Sequence, residues 1–173
     1  MSLRAYLIVE MNKGDQNMSV DIGIEKGDRE KVAEALSKAL AETYAIYMKT
    51  HGYHWNVTGP QFRTLHLMFE EQYRDMWAAL DELAERIRAL GVYAPGSGRR
   101  MAELSQIEEG DNDVPSADVM IANLTKDHEA IATHLRDFIE VADEADDDGT
   151  EDLLIARLQF HEKTAWMLRS MQG

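Results

Sequence analysis

The chain contains no cysteine. Thiol catalysis, cysteine-ligated zinc and Fe–S clusters are therefore excluded, and the composition suits a reducing cytoplasm. It also lacks a long hydrophobic run. The apolar stretch Leu7–Val9 ends at Glu10, too short for a secretory signal or a spanning helix. The expectation is a cytoplasmic protein that does not enter a membrane. Positive charge is scarce as well: 18 Lys and Arg stand against 32 Asp and Glu, a formal net charge of −14. Such a chain repels nucleic acid and anionic lipid on average and attracts cations.

What is present is helix. At 173 residues, with ten methionines, the chain is long enough for one domain with its own core. Residues 1–27, interrupted by Gly14, Gly23 and Gly27, read as a flexible N-terminal arm, and Met18 is a plausible alternative start. From there to residue 173 the pattern predicts a bundle domain. A first helix follows Asp28 as N-cap and runs to about Asn56, with Val32, Leu36, Leu40 and Tyr47 on one face. Thr58-Gly59-Pro60 breaks it. A second runs from about Gln61 to Leu90, with Leu65, Phe69, Met76, Leu80, Leu83 and Ile87 inward and Gly91 as its stop. A long crossover follows, with a short amphipathic piece at Met101–Ile107 and then acidic residues 108–113. A third helix starts at Ser116 and carries Ile121, Leu124, His128, Ile131, Leu135 and Phe138. The fourth is expected to be capped by Thr150 and to bury Leu154, Leu158, His161, Ala165 and Leu168. The fold class is all-α: a ferritin-like four-helix bundle whose long connection between the second and third helices carries a short helix.

Five candidate metal ligands fall within 32 residues: His54, His66, Glu70, Asp81 and Glu85. His66/Glu70 and Asp81/Glu85 each have i, i+4 spacing and so share a helix face. The midpoints of the two pairs are 15 residues apart, roughly 22 Å along a helix. One metal cannot touch both pairs within one chain. The intrachain alternative is absent, because ferritin-like bundles build it from Glu-x-x-His pairs. The residues three before the six histidines are Met48, His51, Arg63, Thr125, Ile131 and Leu158. The His-Glu-x-x-His signature of zinc peptidases is missing too. A two-fold axis crossing the second helix near residues 75 and 76 would solve the problem. It sets His66 and Glu70 of one chain opposite Asp81 and Glu85 of another, with His54 reaching the same place. Two imidazoles and three carboxylates suit Fe(II), with Mn(II) and Zn(II) competing.

The run Lys49-Thr-His-Gly-Tyr-His-Trp-Asn-Val-Thr-Gly-Pro60, with Phe62, Leu65-His66 and Phe69, resembles the signature of the Dps miniferritins. So do Asp81-x-x-Ala84-Glu85-Arg86, Asp127-His128 and His161-Glu162-Lys163-x-x-Trp166-Met167-Leu168. The resemblance covers roughly residues 28–171. It implies a ferroxidase centre between two-fold-related subunits, with iron (Fe2+/Fe3+) held by His54, His66, Glu70, Asp81 and Glu85. Asp is the commoner family residue at the position of Glu70, whose extra methylene changes its reach. The resemblance also implies a hollow homododecamer that oxidises Fe(II), usually with hydrogen peroxide, stores ferric mineral and protects against oxidative stress. Trp55 would lie beside the centre, as a trap for stray oxidising equivalents or simply as packing.

Plainer readings stand beside these. Asp81 and Glu85 can pair with Arg86 or Arg88 on the surface; His51 reads as a surface or supporting residue; His128, His134 and His161 read as core or interface histidines. Acidic residues 108–113 and 143–148 read as solvated loops. The alternative function is a nucleoid-associated, DNA-condensing protein of the same family. Within residues 1–30, however, Arg4, Lys13, Lys26 and Arg29 face Glu10, Asp15, Asp21, Glu25, Asp28 and Glu30. That balance makes a poor phosphate-binding arm, and DNA binding is disfavoured.

Overall fold

The computed structural model describes residues 20–110 and 113–172. Most of the expected arm, with Arg4 and Lys13, lies outside the described residues. Five helices and no strand are present among them: α1 (Lys26–Asn56), α2 (Phe62–Ala89), α3 (Gly98–Leu104), α4 (Ala117–Asp143) and α5 (Asp148–Arg169).

Helix α1 begins two residues before the expected cap. Glu25 is the N-cap and makes no side-chain cap bond. Asp28 lies in the first turn instead, where its charge complements the helix dipole and its carboxylate accepts from Lys31 at 2.8 Å. The break after α1 turns on Gly59, whose φ of 105° strains any side chain. At the end of α2, Gly91 at φ 89° lets its own N–H reach the Arg88 carbonyl and the Val92 N–H reach the Ile87 carbonyl. Those two bonds form a Schellman stop at the glycine expected to supply it.

Two further boundaries differ from expectation. Helix α3 starts at Gly98 rather than near Met101, because Ser97 accepts a bond from the Arg100 N–H. Helix α5 is capped by Asp147, not Thr150. The Asp147 carboxylate accepts from the Thr150 N–H at 3.0 Å and the Thr150 hydroxyl at 2.6 Å. Asp147 is only 2% exposed and also takes the Arg86 guanidinium of α2. The 143–148 segment is therefore not solvated throughout. One of its aspartates pins α2 to the start of α5.

The chain directions follow from side-chain partners. Tyr53 meets Asn123, Lys49 meets Asp127 and Glu42 meets His134, so α1 and α4 run antiparallel. Helix α1 is also antiparallel to α2, which returns after a five-residue turn. Helices α2 and α4 are consequently parallel, and only a long crossover can join them. Packing is heaviest within the α1/α2 and α4/α5 hairpins and thin between α2 and α5. The core is built from the expected stripes. Leu36, Leu65, Phe69, Met76, Leu83, Leu124, Ile131, Leu154 and Leu168 are all fully buried. No helix among the described residues is long and apolar enough to cross a membrane.

Candidate metal centre

The turn between α1 and α2 brings His54 and His66 together. His54 Nδ1 lies 2.8 Å from the His66 carbonyl oxygen, and His66 Nδ1 lies 2.8 Å from the His54 carbonyl oxygen. A carbonyl can only accept, so each Nδ1 carries the proton and donates. Both rings are thereby fixed in one tautomer, and each Nε2 keeps its lone pair for a partner from outside. The rings stack with centroids 3.8 Å apart. The His54 carbonyl belongs to the last turn of α1, which has no helical N–H to receive. The bond from His66 therefore caps a helix and orients a potential ligand at once. A backbone-anchored Nδ1–H is the usual support of a metal-binding imidazole.

Glu70 lies one turn beyond His66 on α2, within electrostatic reach of both imidazoles. Its Oε1 accepts from Arg74, with Nε at 2.9 Å and Nη2 at 2.6 Å. That hydrogen bond is the main reason its carboxyl sits below the usual carboxylate range, opposed by desolvation and helped by the Arg74 charge and by the electrostatic influence of the two nearby imidazoles. Asp81 and Glu85 sit farther along α2 and are exposed. The expected surface pairings with Arg86 and Arg88 do not form. Arg86 goes to Asp147 and Thr150, while Arg88 donates to the Val92 carbonyl and covers the Tyr93 ring.

The buried stripe of α2 is Leu65, Phe69, Gln72, Met76, Ala79, Leu83 and Ile87. At about 100° per residue, His66, Glu70, Asp81 and Glu85 fall within an arc of about 100° on the opposite side. The four side chains point away from the core of their own bundle. Among the described residues, no group of three or more His, Asp or Glu side chains is placed to hold a metal ion. The chain pairs His54 with His66, keeps Glu70 within electrostatic reach of both, and leaves Asp81 and Glu85 farther along α2.

An aromatic sheath borders this face. His51 stacks on Tyr73 at 3.9 Å and leans on Trp55 at 4.3 Å, and its Nδ1 is 3.2 Å from the Tyr47 hydroxyl. Burial, then the neighbouring His54, pushes its pKa down. Tyr47 continues the contact to Trp77. Trp55 and Trp77 are 61% and 64% exposed, a large apolar area for a free surface. The supporting role read for His51 corresponds to this stack.

The remaining histidines belong to the core. His128 of α4 and His161 of α5 are fully buried and share one hydrogen bond, Nδ1 to Nδ1, at 2.8 Å. Their Nε2 atoms have no protein partner. Burial, and after it the nearby Arg157, lowers the His128 pKa to about 3; His161 is also lowered well below its usual value, chiefly by burial. His134 donates to the buried Glu42 carboxylate. Pattern reading missed three long-range pairs: Lys49–Asp127, Arg157–Asp75 and Arg86–Asp147. A cation placed on an otherwise buried face was the available signal at Lys49 and Arg157.

Three comparisons bear on this arrangement. Residues 33–173 match the model of the ferritin-like domain family. The chain is 43% identical over 152 residues to a low-temperature-induced protein of Nostoc, spanning 87% of this chain and 85% of that one. It is 39% identical over 140 residues to DNA protection during starvation protein 2 of Bacillus anthracis, spanning 81% and 95%. Among solved structures it superposes on the Dps protein of Vibrio cholerae with a TM-score of 0.85 at 33% identity, covering 92% of this chain and 100% of that one. That protein is described as a member of a broad superfamily of ferritin-like diiron-carboxylate proteins.

Proposed function

The chain belongs to the Dps family of ferritin-like proteins, and from that membership we propose that it is an iron-oxidising, iron-storing miniferritin with a two-chain ferroxidase centre. The observation that carries the reading is the reciprocal bonding of His54 and His66. It commits both Nδ1 atoms to backbone carbonyls and so leaves the Nε2 atoms available to a metal, with the Glu70 carboxylate within electrostatic reach of both rings. The donor set suits Fe(II), which takes both imidazole and carboxylate.

Asp81 and Glu85 of a second copy complete the set. They lie on the same outward arc of α2, and an antiparallel approach of two α2 helices brings them opposite His66 and Glu70. The exposed Trp55 and Trp77 lie on this face and would be covered by the same approach. Fe(II) is the substrate. The imidazoles bind without adding charge, and the three carboxylates offset the charge that grows as iron is oxidised. Two Fe(II) ions give one electron each. Hydrogen peroxide takes both, its O–O bond breaks, and two protons complete two waters. Ferric iron then moves to a cage interior for storage, which protects the cell from peroxide.

Peroxide-driven Fe(II) oxidation followed by stopped-flow absorbance tests the centre. His54→Ala and Asp81→Ala should each lose most of the rate, and wild-type rates in both would end the proposal. Mixing tests the two-chain arrangement. A His54→Ala/His66→Ala chain reassembled with an equal amount of an Asp81→Ala/Glu85→Ala chain should recover about a quarter of wild-type sites by random pairing. A site contained in one chain would recover none.

The DNA-condensing alternative draws on the names of the relatives. A formal net charge of −14 per chain opposes it. A duplex gel shift at low salt separates the two, and tight shifting by the metal-free assembly would reverse the ranking.

A further inference from the structure

Glu70 is a candidate ligand already held by a cation of its own chain. Arg74, one turn on along α2, sets both Nε and Nη2 on the same oxygen, Oε1. We propose that Arg74 is a built-in counter-cation that occupies Glu70 in the metal-free protein and must swing aside for a divalent ion to bind. It thereby sets the affinity of the centre for divalent ions. The inference rests on the reading that His54, His66 and Glu70 form one half of that centre.

Position, mobility and charge each support it. At about 100° per residue, position 74 falls inside the arc spanned by His66, Glu70, Asp81 and Glu85, between the two ligand pairs. A guanidinium fixed there repels any arriving cation as well as competing for the carboxylate. The Arg74 side chain is 69% exposed, so water can take it when it leaves. Exposed i, i+4 pairs on helices are weak and open readily. A monovalent ion brings no more charge than the guanidinium it would displace and none of its directed hydrogen bonds. Mg(II) brings two charges but prefers oxygen and its own waters. An ion with affinity for imidazole gains the two Nε2 atoms as well as the carboxylate. Arg74 is therefore a threshold common to divalent ions, and the two imidazoles are what carry Fe(II)-like ions over it more readily than Mg(II).

Calorimetric titration with Co(II), a substitute for Fe(II) that peroxide is not needed to detect, tests the idea on the assembled full-length protein. Arg74→Met keeps the aliphatic stem and removes the charge. It should bind Co(II) about three- to tenfold more tightly than wild type, Arg74→Lys should lie between, and Mg(II) should tighten in Arg74→Met by a similar factor, leaving the Co(II)/Mg(II) ratio unchanged. Arg74→Gln carries the same expectation if the methionine variant fails to assemble by sedimentation. Asp81→Ala is the control for the centre itself. If Asp81→Ala abolishes binding while the neutral Arg74 variants bind Co(II) no more tightly than wild type, the counter-cation role is overturned and the centre survives. If Asp81→Ala binds as wild type does, the two-chain centre fails, and this inference falls with it.

Discussion

The two histidine pairs of this chain use their ring nitrogens in opposite ways. In the outer pair, His54 and His66, each Nδ1 is committed to the other's backbone carbonyl, and the rings stack face to face. In the inner pair, His128 and His161, the two Nδ1 atoms are committed to each other. One ring must then donate and the other accept, so the two are opposite tautomers. The inner Nε2 atoms are sealed in the core beside Arg157. The outer rings lie nearer the surface, His54 9% exposed and His66 half-buried, with the Glu70 carboxylate within electrostatic reach of both. Histidine spacing alone does not separate a ligand from a core residue. What separates them is whether the anchoring bond leaves an unprotonated nitrogen facing a place that metal and a second chain can reach.

The comparison breaks most visibly under alanine substitution. His161→Ala removes a buried ring and leaves His128 Nδ1 without its partner, costing about 2–4 kcal/mol of stability. Metal affinity should stay near wild type in that variant while it remains folded. His54→Ala should do the reverse, losing about 1–2 kcal/mol of stability but at least about a hundredfold in Co(II) affinity. Urea denaturation and metal titration on both variants check the crossed pattern. Equal losses of metal affinity would show that the inner pair also serves the centre.

Acid separates the pairs next. Buried neutral imidazoles have folded pKa values below their unfolded ones, about 3 for His128 and, chiefly through burial, well below the usual value for His161. Below pH 6.5 the unfolded chain takes up protons that the native core refuses. Their stabilising contribution is full above the unfolded pKa and is lost as pH falls toward the folded value. Stability should drop by about 1.4 kcal/mol per pH unit for each of the two histidines. The buried carboxyls of Glu42 and Asp127 are raised by desolvation and act with the opposite sign. The effect is therefore read between pH 6.5 and 5 as a difference between wild type and a histidine variant, to which these carboxyls contribute alike. A His128→Gln/His161→Gln double variant should flatten the urea-midpoint profile in that window. An unchanged slope would assign the dependence to other groups.

The bundle was legible because its signals are local and agree with one another. The α4 stripe from Ile121 to Phe138 is buried at every expected position, and Gly91 ends α2 with the bonds that a C-terminal glycine permits. The N-terminus of α5 was misread because several residues there can cap a helix. Asp147 prevails through Arg86, a partner 61 positions away that no local pattern contains. At the candidate centre the placing of His66 and Glu70 on one helix face was legible from spacing. The support of the two imidazoles was not, since the anchors of both are backbone carbonyls and leave no mark in side-chain identity. Arg74 had a visible signal in its i, i+4 relation to Glu70. It is meaningful only once Glu70 is seen as a ligand.

The smallest expected effect asks how much of the outer pair's rigidity comes from its aromatic border. His51 sits between Tyr73 and Trp55, and Tyr47 is its only side-chain hydrogen-bond partner among the described residues. If that sheath held His54 in place, loosening it would weaken metal binding. The geometry argues otherwise. The His54 ring is already fixed by a donated bond, an accepted bond through its own carbonyl, and the stack with His66. The sheath meets it only through ring contacts, His51 at a centroid distance of 6.1 Å and Tyr73 edge-on at 5.1 Å, and through no hydrogen bond. Tyr47→Phe removes the hydroxyl and keeps the ring, so it should cost about 0.5–1 kcal/mol in urea unfolding. Co(II) affinity should remain within about twofold of wild type, since no carbonyl anchor changes. A larger loss of affinity would mean that the sheath, and not the pair of carbonyl bonds, aims the outer imidazoles.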